Sequence, residues 1–535
     1  MNHTTDVLVV GAGPAGLATA ISALRHGARV LVVERRADTS SIPRATGMST
    51  RTMEILRTWG LEAAVRAGAV DCDPMVAIGP TLTDPATRYA HHGFPSTAES
   101  LAVSPTHLTI VPQDHTEPVL AAEVTRLGGV VRFGTTATGL DVTPRGVRAR
   151  LDGGAGGTDT VRARFVVGAD GTRSTVRSAL GIGVRDLGGS GAYAQALFRA
   201  PIHAHLDRRP PGIAFLDHPE ATGVLLPVGS GRWEFAHPYE PERGEQPVDD
   251  PARWVHLVRT ATGIPDLPVE LLGSMTFAMT AAVATAFRAG PGFLVGDAAH
   301  RTTPAGATGL NTAIHDGHEL GWKLAWVARG LAGQALLDSH EAERGPVGRW
   351  NAARSLRRDE SDPADGLEGD LGRSYRSPVI DATDDAPPFR TDRAARPGER
   401  APHVWLGPAT SLLDVLADRL TLVTGPDATG WARAVARRER RALAWARTAA
   451  GLLPALVDAP LARLELLVAD GDPDGKARGV AAAYRLAPGS AVLVRPDGIV
   501  AWRHDGPCTD HDGVLARALD VTLGWSAAAQ AAAAG

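Results

Sequence analysis

Six residues near the N-terminus, Gly11-Ala12-Gly13-Pro14-Ala15-Gly16, restrict the fold of this chain more than any other stretch. They follow an apolar run, Val7 to Val10, that reads as a buried strand, and they lead into an Ala-rich helix over Leu17 to Arg25. A second apolar run, Val30 to Val33, ends in Glu34. Strand, glycine turn, helix and acid-tipped strand together make a dinucleotide-binding fingerprint. The glycines give a tight turn and close backbone approach to a pyrophosphate. The helix start favours its charge, and a carboxylate about 20 residues on takes ribose hydroxyls. Arg35 and Arg36 would suit a 2′-phosphate, but Glu34 beside them repels one, which favours FAD or NAD over NADP in this pocket.

A second stretch, Gly292 to Gly330, repeats the theme. Phe293 to Val295 reads as a strand, Gly296 and Asp297 end it, and a Pro- and Gly-rich loop leads into a helix from about Leu310 to Arg329. Gly306 and Gly309 let backbone approach a flat ligand and feed N–H groups into the helix start. Such an end favours the negative charge that a reduced flavin carries on its pyrimidine edge. An ordinary strand-loop-helix turn is the plain alternative. His315 and His318 share a face of this helix, but with no third ligand nearby they read as packing or capping rather than metal ligands.

Between these stretches, Arg44 lies in a loop before a helix near Ser49 to Trp59, where it reaches either a pyrophosphate or the surface. Gln113 and Asp114 open a helix over Thr116 to Arg126, with Asp114 as its expected N-cap. Residues 130 to 168 alternate like β-hairpins, and the strand Phe165 to Val167 ends in Gly168-Ala169-Asp170-Gly171. Asp170 is placed to serve a nucleotide or to cap the helix that follows.

The chain has 535 residues, enough for about three domains at ~150 residues each. A net charge of −4 gives no electrostatic case for nucleic acid or an anionic membrane. Two cysteines, Cys72 and Cys508, are too few for a disulfide framework. No signal peptide and no run of ~20 apolar residues is present, so the expected location is cytoplasmic.

In chain order, GAGPAG, GADGTRSTVR and GDAAHRTTPAGATGLN resemble the three signatures of the class A flavoprotein monooxygenases, the family of para-hydroxybenzoate and phenol hydroxylases. The resemblance covers the first ~400 residues. It implies that Gly11, Gly13, Ala15, Gly16, Glu34 and Arg35 serve the adenosine half of FAD, with Arg44 and Gln113 also in contact. Asp170 matches an aspartate linked to FAD and NAD(P)H, and Asp297 one that binds the ribityl or ribose part. Pro304 matches the proline beside the reactive flavin edge. Gly306 and Gly309 open the loop, while Leu310 and Asn311 match backbone donors to the pyrimidine. Thr303 stands where the family usually has a proline, and Ala307 replaces a frequent glycine.

The resemblance also implies the architecture. An α/β, Rossmann-like FAD-binding domain is expected over residues 1–180 and 280–397, and a mixed-sheet substrate domain over 181–279, joined by residues 71–100. Short alternating segments between Ile182 and Met279 fit that sheet and make Tyr193, Phe215, Phe235 and His237 candidate pocket residues. Residues 361–400 read as a linker containing Tyr375-Arg376-Ser377. A third unit over 398–535, with strands at Leu420 to Val423 and Ala491 to Val494, resembles the thioredoxin-like tail of phenol and polyketide hydroxylases. It has no C-x-x-C, which excludes redox exchange by this tail. VRPDGIVAWR looks like the aklavinone-hydroxylase group.

The activity so implied is hydroxylation of a polycyclic aromatic phenol by O2 and NADPH or NADH, through a flavin C4a-hydroperoxide. Arg376 or His237 is expected to assist, alongside Pro304. Baeyer–Villiger oxygen insertion, or sequestration of an unstable intermediate without turnover, stays open on the same fold. The expected partner is a small aromatic molecule, with no nucleic acid, membrane or metal, and the chain is a monomer or homodimer.

Overall fold

The computed structural model describes residues 2–90, 95–153, 157–356, 366–382, 394–438, 464–468 and 476–525. Its first sheet has five parallel strands at its heart, in the spatial order Gly292–Leu294, Thr158–Gly168, Asn2–Val10, Val30–Val33 and Val130–Arg132. Val7, Val9, Val32 and Val167 are fully buried, as expected of parallel strands covered on both faces. The register aligns their ends: Val10 pairs with both Val33 and Gly168, and Gly168 with Leu294. All three nucleotide motifs therefore leave the sheet along one edge.

The helix Pro14–Arg25 crosses the sheet against the helix Gly309–Ala328 at unusually short range. A Cβ on Gly317 would lie 2.5 Å from the Ala15 carbonyl oxygen, and one on Gly321 2.5 Å from Ser22 Cβ. These glycines let the two helix starts reach the same edge together.

A second eight-stranded sheet stands over that edge, in the order His300–Arg301, Glu270–Ala284, Val184–Arg199, Arg232–Tyr239, Gly223–Pro227, Pro211–Leu216, Asp73–Gly79 and Arg88–Ala90. The last two strands come from the 71–100 region and join in part by parallel pairing of Asp73–Gly79 with Pro211–Leu216. The helix Pro251–Thr262 covers one face of this sheet through Trp254, Leu257 and Val258. A third, mixed sheet of four strands, Leu464–Val468, Leu420–Thr424, Ala491–Val494 and Val500–His504, forms the C-terminal unit. Residues 429–438 are helical, and the remainder of the helix expected to Arg447 lies outside the described residues.

One local expectation changes. Asp114 does not cap its helix, which begins at Gln113 after Pro112; it sits in the first turn and accepts a 2.7 Å bond from Arg232. His315 is half-buried and meets Thr52 Oγ1 at 3.0 Å, while His318 is buried against Trp59, and burial pushes the His318 ring down to about 3. No group of three or more His, Cys, Asp or Glu among the described residues could hold a metal. No helix among them is long and apolar enough to cross a membrane.

Candidate active site

The edge where the three motifs emerge opens into a chamber of about 1900 Å³. That is roughly twice the ~300–1,000 Å³ of a pocket for one drug-sized ligand. The glycines divide the work there. Gly11 has φ +108°, and any Cβ on it would collide with the Ala169 carbonyl. Gly13 opens onto the chamber, with nothing within 4 Å of its Cβ position. Gly16 is different: it does not line the chamber, and its missing Cβ lets the helix press on the Gly11 carbonyl. Its expected contact with a ligand is corrected to a packing role.

Glu34 accepts the Ala12 N–H at 2.9 Å through one oxygen and the Arg36 N–H at 2.9 Å through the other. Burial opposes its charge, but those N–H groups and the Arg36 guanidinium hold its carboxyl below the usual range. A carboxylate so oriented keeps lone pairs for hydroxyl donors from the chamber. Arg35 and Arg44 line the chamber, and Arg44 makes no hydrogen bond or ion pair with the described residues. Gln113 also lines it and donates to Glu117 at 2.6 Å. Asp170 reaches the rim, but its carboxylate is occupied by the Ser174 hydroxyl and by the N–H groups of Thr175 and Val176, at 2.7 and 3.1 Å. It caps a helix.

Asp297 opens onto the chamber while protein encloses its base; burial pushes its carboxyl up, against the pull of His300, Arg301 and Arg44. Its turn is fixed from behind by Asp316, a residue that no local pattern marks. Asp316 accepts from the Gly296 N–H at 3.0 Å, His300 Nε2 at 2.6 Å and Arg344 Nε at 2.7 Å. Pro304, Gly306, Gly309 and Leu310 follow on the chamber wall. Thr303 replaces a proline without loosening the loop, since its N–H and hydroxyl bond Ser355 at 3.0 and 2.6 Å. Ala307 adopts φ +50°, a left-handed conformation that favours glycine.

The helix Gly309–Ala328 begins without a side-chain cap. Its first N–H groups have no intrahelical partner, and Gly309 and Leu310 line the chamber. The Asn311 side chain is fully used elsewhere, accepting from Ser49 N and Thr52 Oγ1 and donating to the Gly47 and Ala307 carbonyls, all within 2.9 Å. Only its backbone remains for a ligand.

The opposite wall is apolar and belongs to the second sheet. Tyr193 and Phe277 stack with centroids 5.5 Å apart and planes 12° from parallel. Phe215 pairs in register with Ile78, and both are exposed, at 44% and 47%. Phe235 and His237, expected in the pocket, face the other way. Alternation along Arg232–Tyr239 turns Glu234 and Ala236 to the chamber and Phe235 into the core beside Trp254 and Phe198. His237 stacks on Phe235, and its Nδ1 meets the Thr222 carbonyl at 2.8 Å. Arg376 is corrected too: it is exposed and outside the chamber lining, while neighbouring Tyr375 turns inward to accept a 2.6 Å bond from Arg344. The chamber's own buried acid, Glu234, was missed because an acid between two aromatics in a strand looks like its solvent face.

An acid-tipped nucleotide edge, an uncapped helix end and a broad compartment beyond it fit a flavoprotein with room for a second reactant. Gly13, free of any neighbour, and the unpaired Arg44 fit the diphosphate of FAD. The uncapped helix end fits its ring.

Comparison with known proteins agrees. Residues 4–355 match the FAD-binding domain model, and residues 394–525 the aromatic-ring hydroxylase C-terminal model. The chain is 36% identical to an aklavinone 12-hydroxylase of Streptomyces purpurascens, covering 97% of this chain and 99% of that one. It is equally 36% identical to a tetracenomycin B2 monooxygenase-dioxygenase of Streptomyces olivaceus, over 96% and 98% of the two chains. The solved complex of aklavinone-11 hydroxylase with FAD and aklavinone superposes with a TM-score of 0.84 at 33% identity, covering 98% of this chain and 99% of the other. The chain belongs to the FAD-dependent aromatic-ring hydroxylases, and FAD is its cofactor.

Proposed function

We propose that this enzyme hydroxylates a polycyclic aromatic phenol of the polyketide type, consuming NAD(P)H and O2 in the cytoplasm. The observation that carries this is the apolar sheet face opposite the flavin-binding edge, in a chamber with room for both reactants. Relatives named for aklavinone and tetracenomycin support the same substrate class. In balance, ring C–H, O2, NAD(P)H and a proton give ring C–OH, water and NAD(P)⁺.

The chemistry that FAD supplies when bound is hydride acceptance and oxygen activation. The protein's own part is placement. Gly11, Gly13 and Glu34 hold the adenosine end, Arg44 neutralises diphosphate charge, and the Leu310 and Asn311 N–H groups take the ring's pyrimidine edge. Tyr193 and Phe277 offer an aromatic platform to a flat substrate, and Phe215 and Ile78 extend it toward the opening. Pro304 and Thr303, tied to Ser355, fix the loop between cofactor and substrate, and the apolar face excludes water from the reacting carbon.

The test is NAD(P)H oxidation by the holoenzyme with hydroxyanthraquinones and with simple phenols. Stimulated, coupled turnover of the polycyclic compounds is expected. Coupled turnover of simple phenols alone would overturn the substrate class.

A further inference from the structure

The second sheet presents one buried carboxyl to the apolar compartment. Glu234 is 6% exposed, lines the chamber, and is flanked on that face by Ala236 on its own strand and by Leu226 in register on the next. The nearest cation, Arg232, is committed elsewhere: its guanidinium bonds Asp114 at 2.7 Å and the Gly229 and Val228 carbonyls at 3.3 Å. One Glu234 oxygen, Oε1, has no hydrogen-bond partner. Buried polar groups are ordinarily satisfied, so one left open on a ligand wall points to a ligand that completes it.

We propose that Glu234 is the polar anchor of the substrate, donating a hydrogen bond from its protonated carboxyl to a carbonyl oxygen of a polycyclic quinone or ketone. This rests on the polycyclic substrate proposed above and adds what the apolar platform cannot supply, a fixed orientation of the ring system. A stacked aromatic plane rotates freely on its platform, whereas one hydrogen bond to an edge carbonyl stops the rotation and selects which carbon faces the cofactor. An ionised carboxylate accepts only; a carbonyl needs a donor.

The surroundings keep the proton on. Burial pushes the Glu234 carboxyl up to about 8, and the negative charge of Asp114 adds to this against weaker opposition from Gln195 and Arg232. The groups facing it come from four elements: Asp114 from the Gln113–Arg126 helix, Arg232 from its own strand, Gln195 from Val184–Arg199 and uncharged Leu226 from Gly223–Pro227. A carboxylic acid kept neutral in an apolar site to act as a donor is an established device.

The test uses FAD-loaded enzyme and two probes with no proton of their own to lose, a methoxyanthraquinone and the matching methoxyanthracene. Binding is read from perturbation of the flavin absorbance. Wild type is expected to prefer the quinone by about tenfold, the scale of one buried hydrogen bond. That preference should vanish as pH rises through about 8, where the donor is lost. Glu234→Leu should abolish the preference while leaving methoxyanthracene affinity within about twofold. Glu234→Gln, which keeps a donor and cannot titrate, should retain the preference and lose its pH dependence, a result that misfolding cannot imitate. Binding of both probes by wild type without preference, or an unchanged preference in Glu234→Leu, overturns the anchor alone. Binding of neither probe overturns the polycyclic substrate and the anchor with it.

Discussion

The chamber and the seam beneath the C-terminal unit are both rich in buried charge, and they treat it in opposite ways. Among the described residues of the seam, the charges are largely paired with one another. Arg495 bonds both Glu343 oxygens at 2.7 and 2.8 Å and also grips Asp497. Lys323 reaches Glu343 at 2.9 Å, Arg400 reaches Glu54 at 2.9 Å, and Arg25 reaches Asp418 at 2.6 Å. In the chamber, Arg44 has no such partner among the described residues, Glu234 Oε1 is unsatisfied, and a long helix begins without a side-chain cap. Paired charges fix one element to another, and removing one partner strands the other at a cost of about 3–5 kcal/mol. Unpaired groups on a cavity wall await something that is not protein. Buried charge alone does not mark a site; an unsatisfied group on a cavity wall points to one.

The sharpest break in this contrast is Gly13→Asp. A carboxylate would meet the diphosphate where the glycine leaves space, so the purified protein should stay folded by circular dichroism yet be colourless, with FAD affinity down at least about 100-fold. A yellow variant would remove the glycine turn from the cofactor site.

Next in size is the difference between two aromatic residues of one sheet. Phe235→Ala empties a core position beside Trp254 and should cost about 3–5 kcal/mol in denaturant unfolding. Tyr193→Ala should barely change stability and instead raise the KM for the polycyclic substrate. Equal stability losses in the two variants would mean that the two faces are not distinct.

The seam can be tested by pH. Burial alone would raise Glu54, but Arg400 and Arg51 hold its carboxyl down to about 2, against 4.5 for the ordinary group. A lowered folded value gives stability that is fully present above about 4.5 and is lost as pH falls through about 2. The site should contribute on the order of 3 kcal/mol across that window. Glu54→Gln should flatten the acid limb of the stability curve there. An unchanged slope would remove Glu54 from the linkage.

The smallest effect is expected at Arg376. Being exposed and outside the chamber, Arg376→Gln should leave the hydroxylation rate within about twofold, since surface substitutions rarely exceed ~0.5 kcal/mol. A tenfold loss would bring this residue back into the reaction.

Much of the nucleotide half was legible because its signals are local. Glycine spacing, an acid at a strand end and a helix following a loop are all contiguous in sequence, and only the parallel register was needed to bring Gly11, Glu34 and Asp297 to one edge. The substrate half depends on which side of a strand faces what. In Arg232–Tyr239 aromatics alternate with polar and small residues, and the sequence does not say that the helix Pro251–Thr262 covers the aromatic side. The strand pattern therefore puts Phe235 and His237 on the wrong face and leaves Glu234 looking solvent-exposed. Asp316 is hidden for a similar reason, since its partners His300 and Arg344 come from a short strand and a helix on either side of it. Arg376 stood out as a charge in a linker, yet the inward turn of its neighbour Tyr375 follows from a contact with Arg344 that no spacing reveals.

The most direct measurement is turnover of a hydroxyanthraquinone by the FAD-loaded enzyme with NADPH under isotopically labelled O2, with mass and connectivity of the product determined. One labelled oxygen as a new ring hydroxyl, formed in step with NADPH consumed, is the predicted result. Labelled oxygen inserted between ring carbon and carbonyl, or bound quinone with no product at all, would contradict aromatic hydroxylation as the work of this site.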